Sequence, residues 1–187
     1  MSSERAKRHP TGVRKEELPT EPEERNYVLS VLVENRPGVL SRVAGLFTRR
    51  DFNIESLAVG KTENPDYSRM TIAVSGDDKT VEQVKKQLNT LIPVIKVTDL
   101  SEDESVDREL TLIKVSSTPE TRNEIMQIAD TFRAKIVDVG KTSMVVEVTG
   151  DADKVEALQD MLREFGIKEM VRTGTVSLAR GEKSTRG

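Results

Sequence analysis

The amino-acid sequence repeats itself, and this repeat constrains the fold more than any other feature. The tetrapeptide VGKT occurs at residues 59–62 and again at 139–142, an offset of 80. VSGDDKTVEQV at 74–84 matches VTGDADKVEAL at 148–158, an offset of 74. Self-similarity of this kind predicts two related domains of roughly 70 to 75 residues each. The smaller second offset predicts that the hairpin of the second domain is six residues shorter.

The first copy alternates between strand-like and helix-like patterns. After Gly38, apolar residues recur at spacings of three and four, which is typical of the buried face of a helix. That face is predicted to consist of Val39, Leu40, Val43, Ala44, Leu46 and Phe47. The predicted elements are a strand from Tyr27, this helix, a hairpin at 53–62 and 66–76, a helix capped by Asp77 or Asp78, and a strand at 94–100. This order, βαββαβ, is that of a ferredoxin-like domain.

The second copy predicts the same order of elements. They are a strand at 109–117, a helix with the face Ile125, Ile128, Ala129 and Phe132, a hairpin, a helix ending at Gly166, and a closing strand at 168–178. Thr118 is predicted to cap the first of these helices, with Pro119 as its first residue. Gly166 suits the position after a helix because glycine adopts the left-handed conformation readily.

The predicted fold is therefore α+β, with two tandem ferredoxin-like βαββαβ domains. The predicted boundaries are a flexible charged tail at 1–25, a first domain at 26–101, a linker at 102–107, a second domain at 108–178 and a flexible C-terminus at 179–187. Each domain alone would have a thin core. We therefore expect the domains to pack against one another or against a second chain for stability, and we expect a homodimer.

Composition narrows the possible functions. The chain has 29 basic and 32 acidic residues, so no bulk positive field favours nucleic acid, and we expect no nucleic-acid partner. Without cysteine it can form neither a disulfide nor a thiolate metal site, which suits a reducing, cytoplasmic location. Its single histidine, His9, lies in the charged tail, which weakens the case for an enzyme. No apolar window is long enough to span a membrane, and we expect no membrane association.

Two motifs that suggest binding chemistry have simpler interpretations. VGKT is not a phosphate-binding loop, because Glu55 and Lys135 stand where that loop requires glycine. The acidic residues at 77–78 and 151–153 directly precede apolar-striped helices, so capping explains them better than metal binding. We therefore predict no metal site. An RNA-binding surface is also not expected, because the central strands lack the aromatic rings that stack on bases.

The segment ENRPGVLSRVAGLF at 34–47 carries the most specific chemistry. The amide of Asn35 could cap the following helix or bind a ligand ammonium group. Pro37 stiffens the turn, and Gly38 leaves room for a group to approach the backbone. Unpaired N–H groups at such a helix start would suit a carboxylate. An ordinary capped helix start is the alternative that the pattern alone leaves open.

The longer stretch ENRPGVLSRVAGLFTRRDFNIESLAVGKTENPDYSRMTI closely resembles the N-terminal ACT domain of the acetohydroxyacid synthase small-subunit family. VDREL at 106–110 and RTGTVSLARG at 172–181 resemble the second domain of the same family. The resemblance implies a non-catalytic regulatory subunit that holds no cofactor. It also implies a catalytic large subunit as partner, which would carry thiamine diphosphate, magnesium and FAD. The regulated pathway would be branched-chain amino-acid biosynthesis.

In that family, the ACT domains of two chains pair side by side and the inhibitor binds at their interface. The resemblance therefore implies that valine, or another branched-chain amino acid, is held jointly by two chains. From one chain the implied site residues are Asn35, Pro37, Gly38, Val39 and Leu40, and from its partner they are Asn53 and Ile54.

The second domain departs from this pattern, because SSTPETRNE at 116–124 has neither the Asn nor the Gly of the first domain. We therefore expect no amino-acid site there, and by resemblance this domain would help transmit inhibition. Two alternatives remain at this point: an ACT-type amino-acid sensor that regulates another enzyme or a transcription factor, and an acylphosphatase-like enzyme on the same fold.

Overall fold

The structure is a computed structural model, and it describes residues 25–50, 52–101 and 104–182. Nearly all of the predicted tail at 1–25, and the end of the C-terminus at 183–187, lie outside the described residues. The first domain consists of β1 (Arg25–Glu34), α1 (Val39–Arg49), β2 (Ser56–Lys61), β3 (Tyr67–Gly76), α2 (Asp78–Asn89) and β4 (Val94–Asp99). Its strands form an antiparallel sheet in the order β2-β3-β1-β4. The predicted βαββαβ order is confirmed.

The second domain repeats this arrangement and adds one strand. It consists of β5 (Ser105–Ser116), α3 (Arg122–Thr131), β6 (Lys135–Val139), β7 (Ser143–Gly150), α4 (Ala152–Arg163), β8 (Ile167–Arg172) and β9 (Val176–Ala179). The main path of the sheet is β6-β7-β5-β8, and β9 pairs with the beginning of β5. The two tandem ferredoxin-like domains are confirmed, and the link between β6 and β7 is shorter than the one between β2 and β3.

Each domain has its own apolar core between its helices and one face of its sheet. The core of the first domain is built around the central strand β1 and includes Leu29, Val31, Val33, Val43, Phe47, Ile72, Val84 and Leu88. The core of the second is built around β5 and includes Ile113, Val115, Ile125, Ala129, Val146, Val155, Leu158 and Leu162. The predicted helix faces are confirmed with one exception. Leu40 is 45% exposed, because it lies one residue beyond the stripe that contacts the sheet.

Acidic caps begin the second helix of each domain, as predicted. The carboxylate of Asp77 accepts a hydrogen bond from the backbone N–H of Thr80 at 2.8 Å. Asp151 does the same for Lys154 at 3.0 Å. Hydrogen bonds donated by the side chain and backbone of Thr80 lower the pKa of Asp77, because they favour the charged form. Asp77 and Asp151 are thus helix caps. The described residues contain no group of three acidic or histidine side chains that could hold a metal.

The start of α3 was predicted wrongly. Thr118 does not cap a helix that begins at Pro119; the helix begins at Arg122, and Thr121 is its cap residue without a side-chain hydrogen bond. The carbonyl of Thr118 accepts from the N–H groups of Thr121 and Arg122 at 3.2 and 3.1 Å. This turn holds Pro119 and Glu120 ahead of the helix.

The predicted closing strand at 168–178 and the predicted linker at 102–107 also need correction. The closing strand is two strands, β8 and β9, separated at residues 173–175. β9 turns back and pairs with residues 105–108, so that Ser105–Asp107 lie in β5 and not in a linker. At the end of β8, the guanidinium of Arg172 pairs with the buried carboxylate of Glu109. This ion pair lies next to the point at which the chain leaves the sheet.

Gly174 brings the two domains into direct backbone contact. A Cβ atom at this position would lie 2.4 Å from the carbonyl carbon and oxygen of Leu57 in β2. Next to it, the N–H of Thr175 donates to the hydroxyl of Ser56 at 2.9 Å. The expectation that the two domains pack against one another is therefore confirmed. None of the described helices is long and apolar enough to cross a membrane.

This contact predicts a strong asymmetry between two glycine substitutions. Gly174→Ala should lower the free energy of unfolding by about 1 to 3 kcal/mol, because its Cβ must push two backbones apart. Gly60→Ala is the matched control, since a Cβ there meets nothing within 4 Å. Urea unfolding of the two variants measures the difference. Equal midpoints would show that the interdomain contact is not close-packed in solution.

Candidate ligand-binding loop

The loop from β1 to α1, residues 34–38, is anchored by its backbone on both sides. The N–H of Glu34 donates to the carbonyl of Pro93, ahead of β4, at 2.9 Å. The N–H of Asn35 donates to the carbonyl of Asp66, ahead of β3, at 2.7 Å. These bonds hold the end of β1 between its two neighbouring strands, so the following residues start from a fixed position.

The side chain of Asn35 fastens the loop to the β2–β3 hairpin. Its Nδ2 donates to the carbonyl of Pro65 at 2.8 Å, and its Oδ1 accepts from the hydroxyl of Ser68 at 3.1 Å. The amide therefore does not cap α1, and the capping interpretation of Asn35 is wrong. Ligand binding by this residue remains a prediction, and it would have to use the remaining hydrogen-bonding capacity of the amide.

Gly38 sets the geometry of the helix start. It is the cap residue of α1 with φ 82° and ψ −6°, a left-handed conformation that strongly favours glycine. A Cβ added there would meet nothing within 4 Å. Backbone conformation, and not lack of space, therefore favours glycine, and the region in front of Gly38 is open in the single chain.

The first turn of α1 is electrostatically suited to an anion. No side chain caps it and it contains no acidic residue. Among the described residues, the N–H groups of Leu40 and Ser41 have no hydrogen-bond acceptor, whereas the N–H of Arg42 bonds to the carbonyl of Gly38. Unpaired amides at a helix start carry partial positive charge and attract carboxylates.

The apolar residues of the predicted site have different environments. Val39 is 4% exposed and belongs to the core of the first domain. Leu40 and Pro37 are exposed, so they are the apolar surface that the loop offers to a second molecule. Within one chain, Leu40 is thus better placed than Val39 to contact a ligand side chain.

Asn53 and Ile54 lie far from this loop. They precede β2, whose first residue Ser56 pairs with Ala73, whereas the loop follows Glu34, which pairs with Tyr67. The six steps along β3 from Tyr67 to Ala73 span about 20 Å at roughly 3.3 Å per residue. The two sets of residues therefore stand at opposite ends of the same sheet, and one chain does not bring them together.

The sequence interpretation missed the residues that position the loop. Pro65, Asp66 and Ser68 all come from the β2–β3 hairpin, 30 or more residues away from the segment they hold. Only the strand order, in which β3 lies beside β1, brings them to it.

Both halves of the chain match known families. Residues 29–96 match a family described as an AHAS small subunit-like ACT domain. Residues 108–181 match a family described as the small subunit of acetolactate synthase. Together the two matches cover most of the described residues, and each of them coincides with one domain of the fold.

Individual relatives agree with these matches. The chain is 60% identical over 157 residues to a probable acetolactate synthase small subunit from Archaeoglobus fulgidus, covering 84% of this chain and 98% of that protein. It is 54% identical over 157 residues to the acetolactate synthase small subunit of Mycolicibacterium smegmatis, covering 84% and 92%. The crystal structure of an acetolactate synthase small subunit from Thermotoga maritima superposes with a TM-score of 0.77 at 45% identity, covering 85% and 99%.

The geometry of the loop predicts that Asn35 stabilises it. Asn35→Ala removes two side-chain hydrogen bonds and leaves the largely buried hydroxyl of Ser68 without its acceptor, so the free energy of unfolding should fall by about 1 kcal/mol or more. Arg36→Ala is the matched control, because it removes only an exposed ion pair to Glu34 and should cost less than about 0.5 kcal/mol. Chemical denaturation measures both. Equal losses would mean that the Asn35 side chain does not hold the loop.

Proposed function

The chain belongs to the acetolactate synthase small-subunit family, and on that premise we propose that it activates a separate catalytic subunit and confers feedback inhibition by valine. The observation that carries the proposal is the start of α1. There a left-handed glycine and an uncapped first turn expose backbone amides beside an open surface. These features lie inside the segment that matches the ACT domain.

Valine suits this environment chemically. Its carboxylate would accept hydrogen bonds from the amides of Leu40 and Ser41, and Asn35 would supply an oxygen to its ammonium group. Its side chain would contact Leu40. A helix start contributes only about 0.3 to 2 kcal/mol towards an anion, so a sub-millimolar site needs further contacts.

A second copy of the chain would supply those contacts. Asn53 and Ile54 are too far from the loop of their own chain, so in this proposal they face the loop of a partner chain in a homodimer. Ile54 is only partly buried and Asn53 is exposed, so both have surface left for such a contact. Pairing of two first domains would also give each thin domain additional buried area.

Catalysis would take place in the large subunit, which in this proposal carries thiamine diphosphate, magnesium and FAD, while this chain holds no cofactor. Valine must then bind the active and inhibited arrangements of the complex unequally, because a ligand shifts an equilibrium only by its differential affinity. We place the complex in the cytoplasm, since a chain without cysteine suits a reducing compartment.

The proposed separation of regulation from catalysis predicts different results for the isolated chain and for its mixture with a catalytic subunit. The chain alone should form no acetolactate from pyruvate. Added to its cognate catalytic subunit, it should raise the rate of acetolactate formation and make that rate sensitive to valine. A colorimetric acetolactate assay on the separate and mixed subunits measures both effects. Acetolactate formation by the isolated chain would contradict the proposal.

The proposed site predicts a charge-specific effect at position 38. Gly38→Asp should raise the valine concentration for half inhibition at least about tenfold, because it places a carboxylate where the valine carboxylate binds. Gly38→Asn is the matched control, since Asn has nearly the same size and also tolerates the left-handed conformation. Its effect should be clearly smaller.

Both variants are compared in the reconstituted holoenzyme, with activation by the small subunit as the check on folding. Unchanged valine inhibition in Gly38→Asp would exclude this loop as the site. Equal losses in the Asp and Asn variants would mean that bulk, and not charge, disturbs the interface.

A further inference from the structure

The residues proposed to complete the valine site of a partner chain lie directly ahead of the contact between the two domains. Asn53 and Ile54 are separated by one residue from Ser56, the first residue of β2. The hydroxyl of Ser56 accepts a hydrogen bond from the backbone N–H of Thr175, in the second domain, at 2.9 Å. The start of β2 therefore combines a proposed ligand contact with a contact to the other domain.

The short segment between these two contacts is held in place. The N–H of Glu55 donates to the carbonyl of Ala73 in β3 at 2.9 Å, and the amide of Asn53 donates to the carboxylate of Glu55. The side chain of Ile54 packs against the core of the first domain. A displacement of Asn53 and Ile54 would therefore pass to the start of β2, because no loose loop is available to absorb it.

The contact across the domains leaves no free space. A Cβ atom at Gly174 would lie 2.4 Å from the carbonyl group of Leu57 and 2.8 Å from the backbone nitrogen of Ala58. The two backbones are therefore in direct contact. Because packed groups cannot interpenetrate, a shift of β2 towards the second domain must also move residues 174–175.

From Thr175 the contacts lead to the central strands of the second sheet. The hydroxyl of Thr175 donates to the carboxylate of Glu109 at 3.5 Å, and the same carboxylate pairs with Arg172 at the end of β8. Glu109 is buried in β5, which lies between β7 and β8. The chain continues from Thr175 directly into β9, which pairs with the beginning of β5. A movement of Thr175 would therefore reach β5 by two connections.

The loop half of the proposed site is held differently. The hydrogen bonds that anchor residues 34–38 are formed with residues of the first domain, namely Pro65, Asp66, Ser68 and Pro93. The two halves of the composite site thus have different surroundings. One half is fastened within the first domain, and the other continues directly into the contact with the second.

On the basis of the valine site proposed above, we propose that the contact of Ser56 and Leu57 with residues 174–175 transmits the effect of bound valine to the second domain. Asn53 and Ile54 of one chain shift when they close on valine at the loop of the partner chain. The hydroxyl of Ser56 and the backbone of Leu57 pass this shift to residues 174–175. Ser56 is thus a positioning residue that acts without touching valine.

Ser56→Ala tests this route, because it removes the acceptor of the interdomain hydrogen bond. Calorimetry on the reconstituted holoenzyme measures the Kd for valine, and the acetolactate assay measures the activity that remains at saturating valine. The Kd should stay within about threefold of the wild-type value, whereas the remaining activity should rise about fivefold or more, the lower end of typical coupling between two sites. Activation by the small subunit should be unchanged, which shows that the variant folds and assembles.

Thr173→Ala is the matched control. The hydroxyl of Thr173 accepts from the backbone N–H of Leu110 at 3.0 Å, so it makes the same kind of bond two residues away, but within the second domain. This variant should retain wild-type inhibition. Ser56→Thr keeps a hydroxyl at the contact and should also retain it. Equal losses of inhibition in Ser56→Ala and either of these variants would overturn the assignment to the interdomain hydrogen bond.

Gly174→Ala tests the same contact without removing the Ser56 hydroxyl. Its Cβ must push the backbone of Leu57 away, so it should also lower the maximal inhibition by valine while leaving the Kd for valine near the wild-type value. Gly60→Ala is the control within β2, since a Cβ there meets nothing within 4 Å. It should retain full inhibition.

The outcomes separate the route of transmission from the site itself. Full inhibition in Ser56→Ala or in Gly174→Ala, with wild-type valine affinity, would overturn the route and leave the proposed site intact. A Kd raised more than about tenfold in Ser56→Ala would also overturn it, because Ser56 would then belong to the binding site. If the wild-type holoenzyme bound no valine, the proposed function would fail, and the route would fail with it.

Discussion

The close passage of Gly174 against the backbone of Leu57 is the contact on which the arrangement of the whole chain depends. Glycine allows this approach because it has no Cβ, and the contact lies where the chain leaves the sheet after β8. The chain then returns as β9 and pairs with the beginning of β5. The result is that Ser105–Arg108, ahead of the core of the second domain, are held in a strand and do not form part of a free linker. Since each domain alone buries little surface, this contact adds stability that neither domain could supply by itself.

The sequence predicted correctly those features that depend on neighbouring residues. Helix faces follow from apolar spacing, and the Asp77 and Asp151 caps follow from a carboxylate just ahead of an apolar stripe. The errors have a common cause, which is contact between residues distant in sequence. Asn35 was interpreted as a possible cap, but Pro65 and Ser68 engage its side chain. The closing strand was predicted as continuous because nothing in its own sequence reveals the contact between Gly174 and the other domain.

The candidate site could also be predicted only in part from the sequence. Gly38 could be chosen from its place before a helix, and its left-handed conformation supports that choice. The different environments of Val39 and Leu40 could not be predicted, because both fit the same helical stripe and only the angle of α1 against the sheet separates them. The duplicated domains also show how one loop can diverge. The N–H of Asn35 and the N–H of Ser117 each donate to the carbonyl directly before the neighbouring strand, Asp66 in the first domain and Thr142 in the second. The second residue of β3, Ser68, also bonds to the Asn35 side chain, whereas the second residue of β7 is the apolar Met144.

The separation of the α1 loop from Asn53 and Ile54 has a consequence for stoichiometry. In the proposed homodimer with a two-fold axis, each contact between different surfaces would occur twice, so two composite sites would arise together. A chain with a defective loop, paired with a chain defective at Asn53, would form one site with both defects and one site with neither. Mixed dimers of these two defective chains would therefore recover half of the binding sites. Such recovery indicates a site shared between subunits, because a site contained in one chain would show none.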